Sequence, residues 1–216
     1  AVGDATRLAL IRHGEARAAL DRVVGGDRGC TGLSDRGRVQ AEALRDRLAR
    51  TGELVPDVLL ASTLPRAVET AEIIAPSLGR LPVTQDCDLC ELHPGECDAL
   101  SWEEYDARYG VDMANDLYAP MSPGGESLAE FVLRVGRALH RLAAEHEGRN
   151  VVVACHGGVV IGSMINFLGL PVAPALRPDL FVENTSITEW HKRDGRWSLV
   201  RFNDVAHLEA LNGSGS

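Results

Sequence analysis

Positive charge is scarce in this chain: 22 lysines and arginines stand against 31 aspartates and glutamates, a formal net charge of −9. That balance argues against nucleic acid as the main partner and against a polybasic membrane contact. Any anion site must then be built locally, by gathering a few cations in one pocket. Long apolar runs are missing as well; none approaches the ~18 residues of a membrane span, and the start lacks the basic segment and apolar stretch of a leader. Cytoplasm is therefore the expected compartment. Five cysteines, an odd number without regular spacing, argue against a disulfide framework and for reduced thiols. Repeats and low-complexity segments are absent too. What is present is an ordinary globular composition, 45% hydrophobic and 25% charged. The expectation is one domain over residues 1–216 with a lid or insertion at about 85–125.

The chemistry-bearing residues stand at the ends of apolar runs. Leu8-Ala9-Leu10-Ile11 has the length of a buried strand and breaks into Arg12-His13-Gly14-Glu15, where Gly14 lets the backbone turn away. Val58-Leu59-Leu60-Ala61 is a second buried strand that ends in Ser62-Thr63-Leu64-Pro65-Arg66, with Pro65 suited to the first turn of a helix. Val151-Val152-Val153-Ala154-Cys155 is a third, followed at once by His156-Gly157-Gly158 and an apolar helix through Phe167.

Between these lie the predicted connections. Ala16 to Thr31 reads as an irregular, glycine-rich loop. A helix capped by Ser34 is expected to run to about Arg50, with Val39, Ala43, Leu44 and Leu48 inward and Arg45, Asp46 and Arg47 solvated. The helix opened by Pro65 has a face of Ala67, Val68, Ala71, Ile74, Ala75 and Leu78, and Leu81 to Thr84 is a short strand. Around Ser101 to Tyr109 a short helix is expected within the lid. Gly124-Gly125-Glu126-Ser127 caps a strongly periodic helix carrying Phe131, Val132, Val135, Leu139 and Leu142. Ser186 to Lys192 and Trp197 to Phe202 flank Asp194-Gly195 as an edge hairpin.

Alternation of strand and helix predicts an α/β fold, a three-layer α/β/α sandwich with a mostly parallel central sheet. In such sheets the carboxyl edge binds ligands, and three strands deliver Arg12 with His13, Arg66, and His156 to that edge. Arginine offers a fork of donors to phosphate, imidazole a nucleophile or proton carrier, and the helix opened by His156 a partial positive charge. For Arg66 the bland alternative is a salt bridge to Glu69 or Glu72; for His156 it is a satisfied core histidine.

Arg12-His13-Gly14-Glu15, Ser62-Thr63-Leu64-Pro65-Arg66-Ala67 with Thr70-Ala71, Glu91 in Leu89-Cys90-Glu91-Leu92, and His156-Gly157-Gly158 closely resemble the histidine phosphatase superfamily, also called phosphoglycerate mutase-like. Leu33-Ser34-Asp35-Arg36-Gly37 with Gln40-Ala41 resembles the family's first helix start. The resemblance implies His13 as the nucleophile that becomes a phosphohistidine. It also implies Arg12, Arg66, His156 and Gly157 around the phosphoryl oxygens, and Glu91 as proton donor to the leaving oxygen and then base for water. Thr31, Gly32 and Asn184 are candidate substrate contacts; Asn184 supports the second histidine or only caps a strand. The chain departs from the family at Ala16 and Ala19, where Thr and Asn are common, which widens the expected pocket. It also lacks the aromatic-Glu-Gly pattern after Glu91. Glu96 and Asp98 are expected to repel a highly anionic substrate.

The implied activity is that of a metal-independent phosphatase acting on a small phosphorylated metabolite, with no cofactor and no metal; a homodimer is compatible with it. A phosphoglycerate mutase is the alternative, disfavoured because the lid is shorter and less basic than in glycolytic mutases. A relative without catalysis is disfavoured by the joint presence of the five site residues. Cys87, Cys90, His93 and Cys97 have a spacing that in principle holds zinc. All four come from one short loop, however, and read more simply as thiols lining the lid.

Overall fold

The computed structural model describes residues 5–113, 115–172 and 180–212. Its six-stranded sheet forms around the apolar runs. β1 (Thr6–Arg12) pairs in parallel with β4 (Asn150–Cys155), β4 with β2 (Val58–Ala61), and β2 with β3 (Val83–Gln85). On the other side of β1, the hairpin of β5 (Ile187–Arg193) and β6 (Arg196–Asp204) adds two antiparallel strands, giving the order β3-β2-β4-β1-β5-β6.

Successive side chains of a strand point to opposite faces, so a continuous apolar run feeds two cores. Leu8, Leu10, Leu60, Val151 and Val153 pack beneath α5 (Leu128–Glu145) and α6 (Gly157–Leu168). Ala9, Ile11, Leu59 and Val152 pack on the other face with Leu44 and Leu48 of α2 (Asp35–Thr51) and Ile74 of α3 (Pro65–Ile74). The result is the expected α/β/α sandwich. Both long helices are capped as their sequences suggest: Ser34 Oγ accepts from the Gly37 amide, and Ser127 forms a reciprocal capping box with Glu130.

Several expectations need correction. The loop after β1 contains a helical turn, α1 (Arg17–Leu20). The helix opened by Pro65 is α-helical only to Ile74 and continues to Leu78 as a 3-10 turn, because Pro76 has no amide hydrogen to continue the α pattern. The strand expected from Leu81 begins at Val83. On α2, Val39 is exposed, whereas Arg47 is buried and bonded to Glu53 and Asp204 at 2.7 and 2.6 Å. In the segment between β3 and α5, helix α4 (Trp102–Arg108) is held through a small core of Val24, Cys97, Tyr105 and Met121.

Candidate active site

Arg12 ends β1, His13 follows it, Arg66 lies in the first turn of α3, and His156 joins β4 to α6. Parallel pairing of β1, β4 and β2 in register brings these positions to one sheet edge. The backbone around His13 is braced from three directions. Thr70 Oγ1 accepts from the Gly14 amide at 3.1 Å, the Asn184 side-chain amide donates to the His13 carbonyl at 3.0 Å, and the Thr185 amide donates to the Arg12 carbonyl at 2.9 Å. Gly14 is required here, because a Cβ would lie 2.4 Å from the Gly37 carbonyl oxygen.

The ring of His13 is fixed in tautomer as well as position. Its Nδ1 lies 2.6 Å from the Gly14 carbonyl, so Nδ1 carries the hydrogen and Nε2 the lone pair. Nε2 in turn accepts from Arg66 Nε at 3.0 Å. Burial, then the charges of Arg66 and Arg12, hold the His13 pKa well below 6.5, so the imidazole is neutral near pH 7. His156 is fully buried behind it, the two rings in edge contact at 5.1 Å. Burial first and Arg66 second also hold His156 well below the usual range. Its Nε2 lies 2.7 Å from Ser62 Oγ, while its Nδ1 is buried without a hydrogen-bond partner.

Arg12 and Arg66 have donors to spare. Arg12 donates to the Val182 carbonyl, and its buried Nε has no partner; Arg66 reaches the Gly25 carbonyl at 2.6 Å. Neither enters an ion pair among the described residues, and Glu69, the expected structural partner of Arg66, is held by Arg38 and the Leu33 amide. Glu91 accepts from the Gly158 amide at 3.0 Å. A side chain at Gly158 would displace that carboxylate, since a Cβ would stand 2.1 Å from it. Arg12, His13, Arg66 and Glu91 open onto a cavity of about 390 Å³. Cations without ion pairs, a neutral imidazole whose Nε2 lone pair is turned toward Arg66 and a carboxylate beside them are the parts needed to transfer a phosphoryl group.

The profile of the histidine phosphatase superfamily (branch 1) matches residues 8–205. The chain belongs to the histidine phosphatase superfamily. The phosphoglycerate mutase-like protein 4 of Arabidopsis thaliana is 33% identical over 211 residues, which cover 95% of this chain and 88% of that protein. A metal-independent phosphoserine phosphatase of the same plant is 32% identical over 217 residues, 96% of this chain and 85% of its own. Among solved structures, YhfR of Bacillus stearothermophilus superposes with a TM-score of 0.82 at 31% identity, covering 94% of this chain and all of that one. One of these relatives is named a phosphatase, and this chain, a member of the same superfamily, is an enzyme of that class.

Not every expected contact of this histidine phosphatase is at its cavity. Thr31 and Gly32 lie outside the lining; the Gly32 carbonyl accepts from the Arg17 amide, and the loop glycines that do line the cavity are Gly25 and Gly26. Asn184 braces the first histidine, not the second. Asp98 stands outside that lining, and its carboxylate accepts from the Gly26, Arg28 and Gly29 amides and so closes the glycine-rich loop. Cys97 is separated from the other lid cysteines and donates to the Pro94 carbonyl.

Other contributors had no isolated sequence signal. Ser62 holds His156, and Thr70 holds Gly14; both sit in quoted motifs, but their partners are known only once the sheet is assembled. Arg134 of α5 donates to the carbonyls of Asp88, Cys90 and Glu91 while gripping Glu126 at 2.7 Å, so it carries the backbone on which Glu91 rides. Cys90 packs against the same turn: burial raises its thiol pKa, but hydrogen bonds from His93, Ser62 and Thr63 outweigh this and bring it to about 7.

Proposed function

We propose that this phosphatase hydrolyses small phosphate monoesters through a covalent phosphohistidine on His13, without a metal, and that it favours esters whose alcohol part is largely apolar. The observation that carries the chemical reading is the orientation of His13, whose Nδ1 is committed to Gly14 so that the Nε2 lone pair faces Arg66. A phosphoryl group arriving there takes over the Arg66 donor and lets Nε2 attack phosphorus. Arg12 Nε, Arg66 and the His156 ring supply donors for the oxygens on which charge gathers. Protonated Glu91 gives its proton to the departing oxygen. As a carboxylate it then takes a proton from the water that attacks phosphohistidine, which restores both His13 and Glu91.

The substrate preference rests on the cavity wall. Beyond the two arginines, its described lining includes Ala16, Ala19, Val24, Trp102, Met113 and Met121, and no further cation. A carboxylate-bearing substrate such as phosphoglycerate would lose water around its second charge and find no partner for it. An aryl or alkyl group loses little and buries apolar area worth about 25 cal/mol per Å².

The test is phosphate release from aryl and alkyl phosphates, sugar phosphates, nucleotides and phosphoglycerates with chelator present, together with 3-to-2-phosphoglycerate interconversion. Hydrolysis is expected to be fastest for the apolar esters, with no interconversion. Acid-labile, alkali-stable label should appear on the native chain and not on His13→Ala. Interconversion without release would replace the phosphatase mechanism by a mutase one; label retained in His13→Ala would remove the nucleophile.

A further inference from the structure

The turn that carries Glu91 gathers, on either side of it, ligand atoms that phosphoryl transfer does not use. Cys87 Sγ stands 3.9 Å from Cys90 Sγ and 4.0 Å from His93 Nε2, and all three atoms lie within 4.8 Å of one another. In a tetrahedral zinc site with bonds of about 2.3 Å to sulfur and 2.05 Å to nitrogen, two sulfurs are about 3.8 Å apart and sulfur and nitrogen about 3.6 Å. Two edges of the triangle are already close to those of such a tetrahedron, and the third is no longer than 4.8 Å. Small shifts of the side chains close it.

Two further observations favour an ion over a chance cluster. Once Nε2 is taken as the ligand, the other ring nitrogen, Nδ1, faces Glu126 Oε2 at 3.9 Å. This is the carboxylate–imidazole pairing that orients metal-bound histidines. Glu126 is itself fixed, accepting from the His93 amide at 2.9 Å and from Arg134 at 2.7 Å. The sulfur of Cys90 is also oriented, by Ser62 Oγ at 3.3 Å and Thr63 Oγ1 at 3.0 Å. Ligand, supporting shell and backbone are therefore all held before any ion arrives.

We propose that Cys87, Cys90 and His93 form a three-donor site for a soft divalent cation of the zinc class, with the fourth position open to solvent beside the exposed Cys87. Two thiolates and one neutral imidazole are a donor set that selects zinc, cobalt or cadmium over magnesium or calcium. Binding displaces the thiol protons to solvent. The ion takes no part in the chemistry of His13; it fastens the turn from which Glu91 projects.

The experiment is titration of the reduced full-length chain with Co²⁺, followed by competition with Zn²⁺ and a thermal melt. A sulfur-to-cobalt charge-transfer band that saturates at one equivalent and is displaced by Zn²⁺ is expected, together with a midpoint that rises with Zn²⁺. Cys87→Ser and His93→Ala each remove a ligand at an accessible position, so both should fold, weaken binding at least about tenfold and lose the thermal shift. His140→Ala, an exposed histidine on α5, should change neither. Absence of the band in the native chain, or its survival undiminished in both ligand variants, would overturn the site.

Discussion

Two buried arginine clusters in this protein look alike in sequence and differ in what surrounds them. Arg47 is met by Glu53 at 2.7 Å and Asp204 at 2.6 Å, and Arg201 joins the same carboxylates at 2.5 and 3.3 Å. Arg12 and Arg66 are met by carbonyl oxygens and an imidazole, and by no ion pair among the described residues. A cation taken out of water must be compensated. In the first cluster the fold supplies the compensation; in the second, on the proposed function, a ligand would supply it. The difference separates a strut between α2 and β6 from the proposed anion site, although each holds one arginine less than a tenth exposed, Arg47 and Arg66.

The sharpest way to break that comparison is to truncate one arginine from each. Arg66→Ala should lower kcat/KM by about 10² to 10³, the loss typical for one preorganised donor at a charge-developing oxygen, while the melting temperature holds or rises. Arg47→Ala should do the reverse. Its removal leaves Asp204 and Glu53 to Arg201 alone, and because both are about a quarter exposed the loss should be about 2 kcal/mol, below the range for fully buried pairs. Activity per folded molecule should stay near normal. Equal effects on stability and turnover in both variants would dissolve the distinction.

What could be read in advance follows from how far each residue's partner lies along the chain. Arg12, His13 and His156 were legible because a buried strand announces its own end, and Gly14 and Gly157 mark the turn. Arg47 reads as solvated because Asp204, the more distant of its two carboxylate partners, is 157 positions away on the last strand. The bond between Asn184 and His13 spans still more of the chain, 171 positions. Thr31 and Gly32 belong to the same glycine-rich stretch as Gly25 and Gly26, and no local signal tells which end lines the cavity; the bond from the Gly26 amide to Asp98 forms only in the assembled fold. Local signals place the catalytic types; tertiary pairing decides which polar groups remain unsatisfied.

Acid sharpens the comparison from another side. Asp204 is held below the usual carboxylate range, first by its hydrogen bond from Arg47, and its contribution to stability is present above an unfolded pKa of 3.8 and lost as pH falls below it. His207, buried beside Arg47, is pulled down to about 4 by burial and then by that charge. Unfolded chains take up its proton near pH 6.5 and folded ones do not, so stability should fall between pH 6.5 and 4. His207→Gln should flatten that interval in melts, whereas Arg47→Ala should flatten the region below it. Over pH 7 to 6, kcat/KM for an aryl phosphate should show no loss from protonation of His13, whose pKa lies well below this window.

The smallest expected effect tests whether the site's neutral parts matter as much as its charged ones. His156 can donate from Nδ1 to a phosphoryl oxygen only if Nε2 is the acceptor, and Ser62 is the group able to impose that tautomer. Ser62 Oγ already accepts from the Leu64 amide at 3.1 Å, so its hydroxyl hydrogen is free to point at His156 or at Cys90. Ser62→Ala frees the ring to adopt either tautomer and leaves Nε2 unpaired in a buried place, a cost of about 1–3 kcal/mol in stability. The kinetic loss should be about tenfold, carried in kcat, and similar for aryl and alkyl esters, because His156 stabilises the phosphoryl oxygens and not the leaving group. Glu91→Gln provides the contrast: it should slow alkyl esters much more than activated aryl esters. A Ser62→Ala profile that tracked leaving-group quality would instead tie Ser62 to Glu91 through Cys90.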